Sequence, residues 1–251
     1  MKNYTLFLWI ALLMLGISGT IGAREVASFN DGWEFKKGPF SKEALQAVQK
    51  WNSDWQEVSI PHTWNADDMQ KQASAFYEGV GYYRKKFTFP ENMEGKRIFL
   101  RFEGVGSYAE VYINGYLAGT HKGAYSAFAC EISSQVKFGK ENEIIVKADN
   151  SSRPDVIPTN HILFGVYGGI YRPVWLVVTE TCSIIANDCA SPGVYITQKN
   201  VSKKSAEVTV KVKVDNATLA PVPLELENAI YDRNGKLVKN CLLYTSDAAD
   251  D

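Results

Sequence analysis

Apolar and polar residues alternate with a period of two through much of the chain, which is the pattern of β-strands with one buried face. The segments with this alternation are 98–103, 109–114, 208–214 and 224–227. Residues 144–148 form a further predicted strand, and residues 174–178 are apolar throughout, as expected of a central strand buried on both faces. Helical periodicity is limited to Glu43–Lys50. The pattern therefore predicts an all-β chain.

Turn signals divide these strands into two units. Asn114-Gly115 and Asn234-Gly235 each predict a hairpin, because Asn and Gly tolerate positive φ. The strand spacing predicts a jelly-roll β-sandwich over residues 24–180. After the boundary at Val178–Ser183, the strands of 181–240 fit the first half of an immunoglobulin-like β-sandwich. A complete one needs ~100 residues, so this second unit is predicted to be truncated.

The two ends of the chain are predicted to lie outside the fold. A positive Lys2, an apolar run at Leu6–Leu15 and small residues up to Ala23 have the layout of a secretory signal peptide over 1–23. The run is shorter than the ~20 residues of a membrane span, and a retained N-terminal anchor is the alternative. We expect a secreted or periplasmic protein with no membrane association after cleavage.

The last residues, 241–251, follow no pattern set up before them and resemble the translation of a sequencing adapter. We interpret them as an artefactual tail and expect the natural chain to continue past Asn240.

Composition and cysteines exclude some functions and leave others open. The net charge of −1 gives no electrostatic reason to expect nucleic acid as a partner. Cys130 alternates with Phe128 and is interpreted as a buried small hydrophobe. Cys182 and Cys189 could form a disulfide in an oxidising compartment, and their spacing does not decide the matter. No His lies close to them to suggest zinc.

Several motifs follow one another in a fixed order along residues 29–176. They are Phe29–Phe35, Pro61–Asn65, Gly79–Lys85, Phe102–Gly115, Gly119–Phe128 and Tyr167–Leu176. This series resembles the sugar-binding jelly-roll domain of glycoside hydrolase family 2 over about residues 28–180, and more weakly the immunoglobulin-like domain of that family over 181–240. The Pro61–Asn65 motif and the segment Gly168–Arg172 are each moderately specific alone, whereas the ordered series is a strong signal. The resemblance implies a galactose-binding-like jelly-roll fold for the first unit.

The resemblance implies a secreted, retaining, β-galactosidase-like glycosidase that hydrolyses O-glycosyl bonds. It places both catalytic glutamates in a TIM barrel that this chain does not reach, so the 251-residue chain is predicted to be inactive. The implied partners are a carbohydrate substrate and the protein's own C-terminal barrel. No cofactor is implied in this chain, and a metal ion in the barrel is left open. A free-standing carbohydrate-binding module is the competing hypothesis.

No pair of carboxylates in this chain suggests catalysis. Asp67, Asp68, Glu78 and Asp155 are interpreted as solvated loop carboxylates, because Asp and Glu are mostly exposed. We therefore name no catalytic residue.

Three motif residues have local interpretations. His62 is expected to be hydrogen-bonded at a domain interface rather than to contact ligand. Gly168-Gly169 is expected to form a turn that a side chain would block. Arg172 is expected to make a structural ion pair or cap carbonyls, with a place at the rim of the pocket as the alternative.

The loop Asn150–Val166 contains the candidates for substrate contacts, because by analogy with the family it approaches the same place. In the β-galactosidase type of the family, an Asn and an Asp of this domain contact substrate, and the matching positions here are Glu78 and Leu163. Neither matches, which argues against a strict lactose-type enzyme. The remaining candidates for contacts at the rim, with a purely structural loop role as the favoured alternative, are Arg153, Asp155, Asn160 and His161.

Overall fold

The computed structural model describes residues 24–38, 55–68, 76–158 and 165–245. The strands up to residue 180 are β1 (Glu25–Ser28), β2 (Trp33–Lys37), β3 (Gln56–Val58), β4 (Val80–Thr88), β5 (Arg97–Phe102), β6 (Tyr108–Ile113), β7 (Tyr116–Lys122), β8 (Phe128–Glu131), β9 (Glu141–Asp149) and β10 (Val174–Thr179). Those that follow are β11 (Cys182–Ile184), β12 (Val194–Lys199), β13 (Glu207–Val212), β14 (Val214–Asn216), β15 (Leu224–Tyr231) and β16 (Leu237–Thr245). A short 3-10 turn at Glu91–Met93 lies between β4 and β5. The prediction of an all-β chain is confirmed.

Some of the predicted segments lie outside the described residues. They are the signal peptide at 1–23, the helical segment at 43–50 and residues 246–251. Within the described ranges, no helix has the length and apolar character needed to cross a membrane.

Two antiparallel sheets form the sandwich of the first unit. One has six strands in the order β3-β2-β4-β9-β6-β7, and the other has four in the order β1-β10-β5-β8. Their inner faces share one hydrophobic core, in which Trp33, Tyr83 and Val111 of the larger sheet and Phe102 of the smaller sheet are fully buried. Each sheet therefore supplies one wall of a jelly-roll core, as predicted.

The alternation predicted for residues 109–114 is confirmed in β6. Ala109, Val111 and Ile113 are fully buried, and the residues between them are half-buried. Asn114 and Gly115 have φ angles of 51° and 86°, so the hairpin between β6 and β7 uses the left-handed conformations that these two residues tolerate.

Strand β5 departs from a simple alternation because its outer face is also partly covered. Phe99, on the outer face, is only 1% exposed and packs with Val177 and Ala186. Ala186 belongs to the segment after β11, so the second unit covers part of the smaller sheet. Strand β10 lies between β1 and β5, which confirms its predicted central position.

The second unit consists of three two-stranded antiparallel ladders, β11–β14, β12–β13 and β15–β16. The prediction of one strand over 208–214 is wrong. Lys213 interrupts it, because its backbone N–H bonds to the Gly193 carbonyl at 2.9 Å and its carbonyl accepts from Ile185 N at 3.0 Å. Lys213 thus separates β13, which pairs with β12, from β14, which pairs with β11. Val208 and Val214 are 42% and 40% exposed, more than the predicted half-buried pattern.

The hairpin predicted at Asn234-Gly235 is present between β15 and β16. Gly235 has a φ of 80°, and the loop is closed by a hydrogen bond from Asp232 N to Lys236 O at 2.9 Å. Strand β16 continues through Cys241–Thr245, where it pairs with Leu224–Asn228. The interpretation of 241–251 as an artefactual tail stays a prediction.

The cysteines of the described residues are unpaired. Cys130 is 5% exposed, which confirms its predicted burial, and this burial raises the pKa of its thiol to about 12. Cys182 and Cys189 have free thiols, and whether they pair in an oxidising compartment stays open.

Candidate functional site at the loop end of the sandwich

A buried asparagine at the end of the Pro61–Asn65 motif ties three loops together. Asn65 is fully buried, and its Nδ2 donates to Asp68 Oδ2 at 2.6 Å and to the Tyr77 carbonyl at 2.9 Å. Its Oδ1 accepts from Gly168 N at 2.8 Å. Because each polar atom of this side chain has a partner, it can be buried without an unpaired donor or acceptor.

A second buried asparagine extends the same network. Asn150, which directly follows β9, donates from Nδ2 to the Val166 carbonyl at 2.7 Å and to Asn65 Oδ1 at 3.3 Å. Its Oδ1 accepts from Gly79 N at 2.8 Å. The two amides thus fix the ends of the loops 61–68, 77–79, 150–158 and 165–172 relative to one another.

Gly168 and Gly169 make this close packing possible. A Cβ on Gly168 would collide with the indole of Trp64, and Gly169 has a φ of 110° with the His62 carbonyl 2.6 Å from the position of a Cβ. The prediction that a side chain would block this turn is confirmed. The indole Nε1 of Trp64 is buried and has no hydrogen-bond acceptor among the described residues.

His62 is held inside the sandwich. Its Nδ1 lies 2.7 Å from the Tyr83 hydroxyl, and its backbone N–H donates to the Ile170 carbonyl at 2.8 Å. Burial lowers the pKa of His62 and raises that of Tyr83. The predicted hydrogen bonding of His62 is therefore present, and its place at a domain interface stays a prediction.

Exposed rings lie above the buried network. Tyr125 and Tyr167 are 61% and 39% exposed, and Ile157 beside them is 71% exposed. The Ala124 N–H donates to the Ile157 carbonyl at 2.9 Å, which joins the loop of Tyr125 to the loop 150–158. This end of the sandwich therefore combines a rigid polar base with accessible aromatic and apolar groups, as ligand sites do.

Comparison with known proteins decides the family. The sequence profile of the glycosyl hydrolases family 2 sugar binding domain matches residues 26–180. The chain belongs to glycosyl hydrolase family 2. A β-glucuronidase of Bacteroides fragilis is 37% identical over 215 residues, and a β-galactosidase of Thermoanaerobacter pseudethanolicus is 32% identical over 196 residues. These alignments cover 86% and 76% of this chain.

Solved structures of the family have the same fold. The crystal structure of a Bacteroides fragilis protein with the provisional name β-galactosidase superimposes with a TM-score of 0.84 at 64% identity, over 89% of this chain. A Bacteroides uniformis β-glucuronidase gives 0.82 at 32% identity, over 89% of this chain. The chain spans 29% of the curated Bacteroides fragilis relative, and 33% and 26% of the two solved chains.

Two of the four candidate residues at the rim can be located in this family 2 domain. Asp155 Oδ2 accepts from Lys122 Nζ at 2.6 Å, and its Oδ1 accepts from Arg153 Nε at 3.1 Å. Hydrogen bonds from the two cations lower the pKa of Asp155 to about 2. The Arg153 guanidinium also lies 4.6 Å from the centroid of the Tyr108 ring. Both side chains hold the loop in place, and their contact with substrate stays a prediction.

The other two candidates, Asn160 and His161, lie outside the described residues, as does Leu163. Glu78 is exposed in the loop before β4. In the described part of the chain, no group of three or more His, Cys, Asp or Glu side chains is placed to hold a metal ion.

Two expectations about charged side chains need correction. Asp68 is not a solvated carboxylate, because it is 7% exposed and accepts from Asn65 and from Tyr77 N at 3.2 Å. Arg172 makes no ion pair with a described residue. Its guanidinium lies 5.7 Å from the centroid of the Tyr171 ring, and its Cδ lies 3.1 Å from the position of a Cβ on Gly104. The expected ion pair is thus absent among the described residues, and a place of Arg172 at the rim of the pocket stays a prediction.

The structural roles of Asn65 and Asn150 and the exposure of Tyr125 and Tyr167 were not predicted. Asn65 ends the Pro61–Asn65 motif, but its partners are set by the tertiary fold. Tyr125 and Tyr167 lie in glycine-containing loops rather than in alternating strands. The sequence signal that could have predicted an exposed ring is an aromatic residue that lies outside any alternating segment.

Proposed function

We propose that this chain is the N-terminal sugar-binding part of a secreted, retaining family 2 glycosidase, and that its loop end shapes one side of the sugar site. The observation that carries the proposal is the Asn65–Asn150 network. Two fully buried amides tie four loops together; the loop 165–172 carries the exposed ring of Tyr167, and the loop 150–158 is bonded to the loop of Tyr125. Rigid loops that present aromatic groups suit sugar recognition, because little ordering remains to be done on binding.

The hydrolysis itself is assigned to a further domain of the whole protein. A retaining glycosidase needs two carboxyl groups about 5 Å apart, one as nucleophile and one as acid and base. At the loop end, Asp68 is engaged by Asn65, and Asp155 by Lys122 and Arg153. The relatives with glycosidase names are three to four times as long as the matched part, which supports a separate catalytic domain.

The sugar is proposed to be a terminal β-galactose, with β-glucuronic acid as the second candidate. The solved structure with 64% identity carries the provisional name β-galactosidase. The curated relative with 37% identity is named a β-glucuronidase, and Glu78 stands where the galactosidase type has an Asn. We assign no cofactor to this chain and place the mature protein outside the cytoplasm.

Hydrolysis assays with aryl β-galactosides and aryl β-glucuronides as substrates test the proposal. The 251-residue chain is expected to release no aryl alcohol above a buffer control, whereas the product of the complete gene hydrolyses one of the two substrates. Turnover by the 251-residue chain would contradict the assignment of catalysis to another domain. A complete gene product that binds sugar and hydrolyses neither substrate would favour the carbohydrate-binding module instead.

A further inference from the structure

The outer face of the four-stranded sheet is covered at one end and open at the other. Ala186 of the second unit packs on Phe99 and Val177. Further along the same strands, Arg101 of β5 and Trp175 of β10 are register partners and share the outer face. A cleft of about 280 Å³ opens there, between the sheet and the second unit.

Charge in this cleft is unbalanced. Of the described residues that line it, Arg24 and Arg101 carry a guanidinium and Glu103 carries a carboxylate. Burial, and secondly the positive charge of Arg101, lower the pKa of Arg24, which means that the two cations are close enough to repel each other. The Arg101 Nε lies 3.2 Å from Glu103 Oε1, yet it is buried without a hydrogen bond to a described residue.

Arg24 is held in position by the second unit. Its Nη2 donates to the carbonyls of Ile184 and Ile185, at 3.0 and 2.8 Å. This contact fixes the guanidinium beside the cleft and leaves its other N–H groups to an incoming acceptor. The side chain therefore loses little conformational freedom when an anion binds.

The remaining walls of the cleft are apolar. Trp175 presents a half-buried indole, and Val26 and Val177 flank it. An aromatic ring next to paired cations suits a ligand with an apolar ring face and a carboxylate, because the guanidinium groups match the carboxylate and the indole packs on the ring. The volume is at the lower limit of ligand pockets, which start at ~300 Å³.

We propose that this cleft binds a monosaccharide unit that carries a carboxylate. Arg24 and Arg101 hold the carboxylate, Trp175 contacts the sugar ring, and Glu103 accepts a hydrogen bond from a ring hydroxyl. The cleft lies on the opposite sheet from Tyr108, over which Arg153 stacks at the loop end. It is therefore independent of the proposed role of the loop end.

Calorimetric titration of the 251-residue chain with sodium D-glucuronate at low salt tests this site. We expect saturable binding to glucuronate and binding at least about tenfold weaker to D-glucose, which lacks the charge, and to acetate, which lacks the ring. The Arg101→Met variant is expected to weaken glucuronate binding about tenfold. Arg101→Lys is expected to lie between, since it keeps the charge but loses the forked donors.

Arg153→Met is the matched control, because it makes the same substitution at the loop end and should leave glucuronate binding unchanged. Urea unfolding verifies that each variant is folded. If Arg101→Met does not fold, the test relies on Arg101→Lys. No binding, equal binding of acetate and glucuronate, or a loss confined to Arg153→Met would each overturn the proposal.

Discussion

The loop end and the junction between the two units hold chain segments together by different means. At the loop end, the neutral side chains of Asn65 and Asn150 are fully buried, and Asn65 binds the carboxylate of Asp68, which is 7% exposed. At the junction, Arg97 donates to Glu131 Oε2 and Asp215 Oδ2, both at 2.7 Å, and the two carboxylates remain 33% and 35% exposed. A neutral amide can be buried completely once each of its hydrogen bonds is made. Burying an ion instead costs about 5 kcal/mol of hydration free energy.

The largest expected effect is that of Asn65→Ala. The substitution removes the bonds to Asp68, Tyr77 and Gly168, which leaves the buried Gly168 N–H without its acceptor and the buried carboxylate of Asp68 with one donor fewer. We expect the free energy of unfolding to fall by about 3 kcal/mol, from the cost of unpaired buried groups. Urea unfolding followed by fluorescence measures the change.

Asn240→Ala is the matched control for this variant. The Asn240 side chain is exposed and donates to Glu227 Oε1 at 2.8 Å. We expect a change within about 0.5 kcal/mol, as at other surface positions. If both variants lost the same stability, the network would have no special role in fixing the loops.

Arg97→Met is expected to have the second largest effect. The Arg97 side chain is 10% exposed, and its loss leaves Glu131 and Asp215 close together without a cation. We expect a loss of about 2 kcal/mol, because the carboxylates keep part of their hydration. This loss should shrink in about 1 M NaCl, which screens exposed charges, whereas the loss in Asn65→Ala should not.

Unfolding curves of both variants at low and high salt measure this difference. Lys86→Met serves as the control for removing a charge. Lys86 and Glu141 form an exposed ion pair at 2.8 Å, which is expected to contribute little to the free energy of unfolding. An effect of Arg97→Met that is independent of salt would mean that lost packing over Phe99, not charge, dominates at the junction.

The sequence predicted those features of the fold that depend on residues close together along the chain. Period-two alternation and Asn114-Gly115 predicted β6 and its hairpin, because strand faces and turns are set by residues a few positions apart. The network and the junction depend on distant residues. Asn65 meets Asn150 and Gly168 across separations of 85 and 103 residues, and Arg97 meets Asp215 across 118. A polar residue in a motif does not reveal such partners. Asp68 was predicted to be solvated because most Asp residues are exposed, and it is instead buried by contacts with Asn65 and Tyr77.

A third kind of polar group sharpens the comparison, namely a half-buried charge that forms no ion pair with a described residue. Lys85 Nζ lies 3.8 Å from the centroid of the Phe29 ring and 3.5 Å from the Phe29 carbonyl. Burial lowers the pKa of Lys85 to about 8, and the charge of Asp31 opposes this only in part. Whereas Arg97 gains from its neighbours, Lys85 is expected to cost stability while it is protonated.

The smallest expected effect, that of Lys85→Met, follows from this pKa. Between about pH 8 and the ordinary Lys value of 10.5, the unfolded chain binds more protons than the folded one, so the wild-type protein gains stability as pH rises. Met keeps the apolar contacts and removes the charge. At about pH 7 the variant should therefore be more stable by about 1 kcal/mol, a value reduced from the full linkage because the amine is partly hydrated.

Urea unfolding of wild type and Lys85→Met from about pH 7 to about pH 10 measures this difference, and groups common to both proteins cancel in it. The advantage of the variant should decline as pH rises, because the wild-type amine loses its proton in the folded state first. A constant advantage would mean that the pKa of Lys85 is that of an exposed lysine, and a growing advantage would mean that the fold raises it. The aromatic contacts with Phe29 and Trp33 would then stabilise its charge as water does.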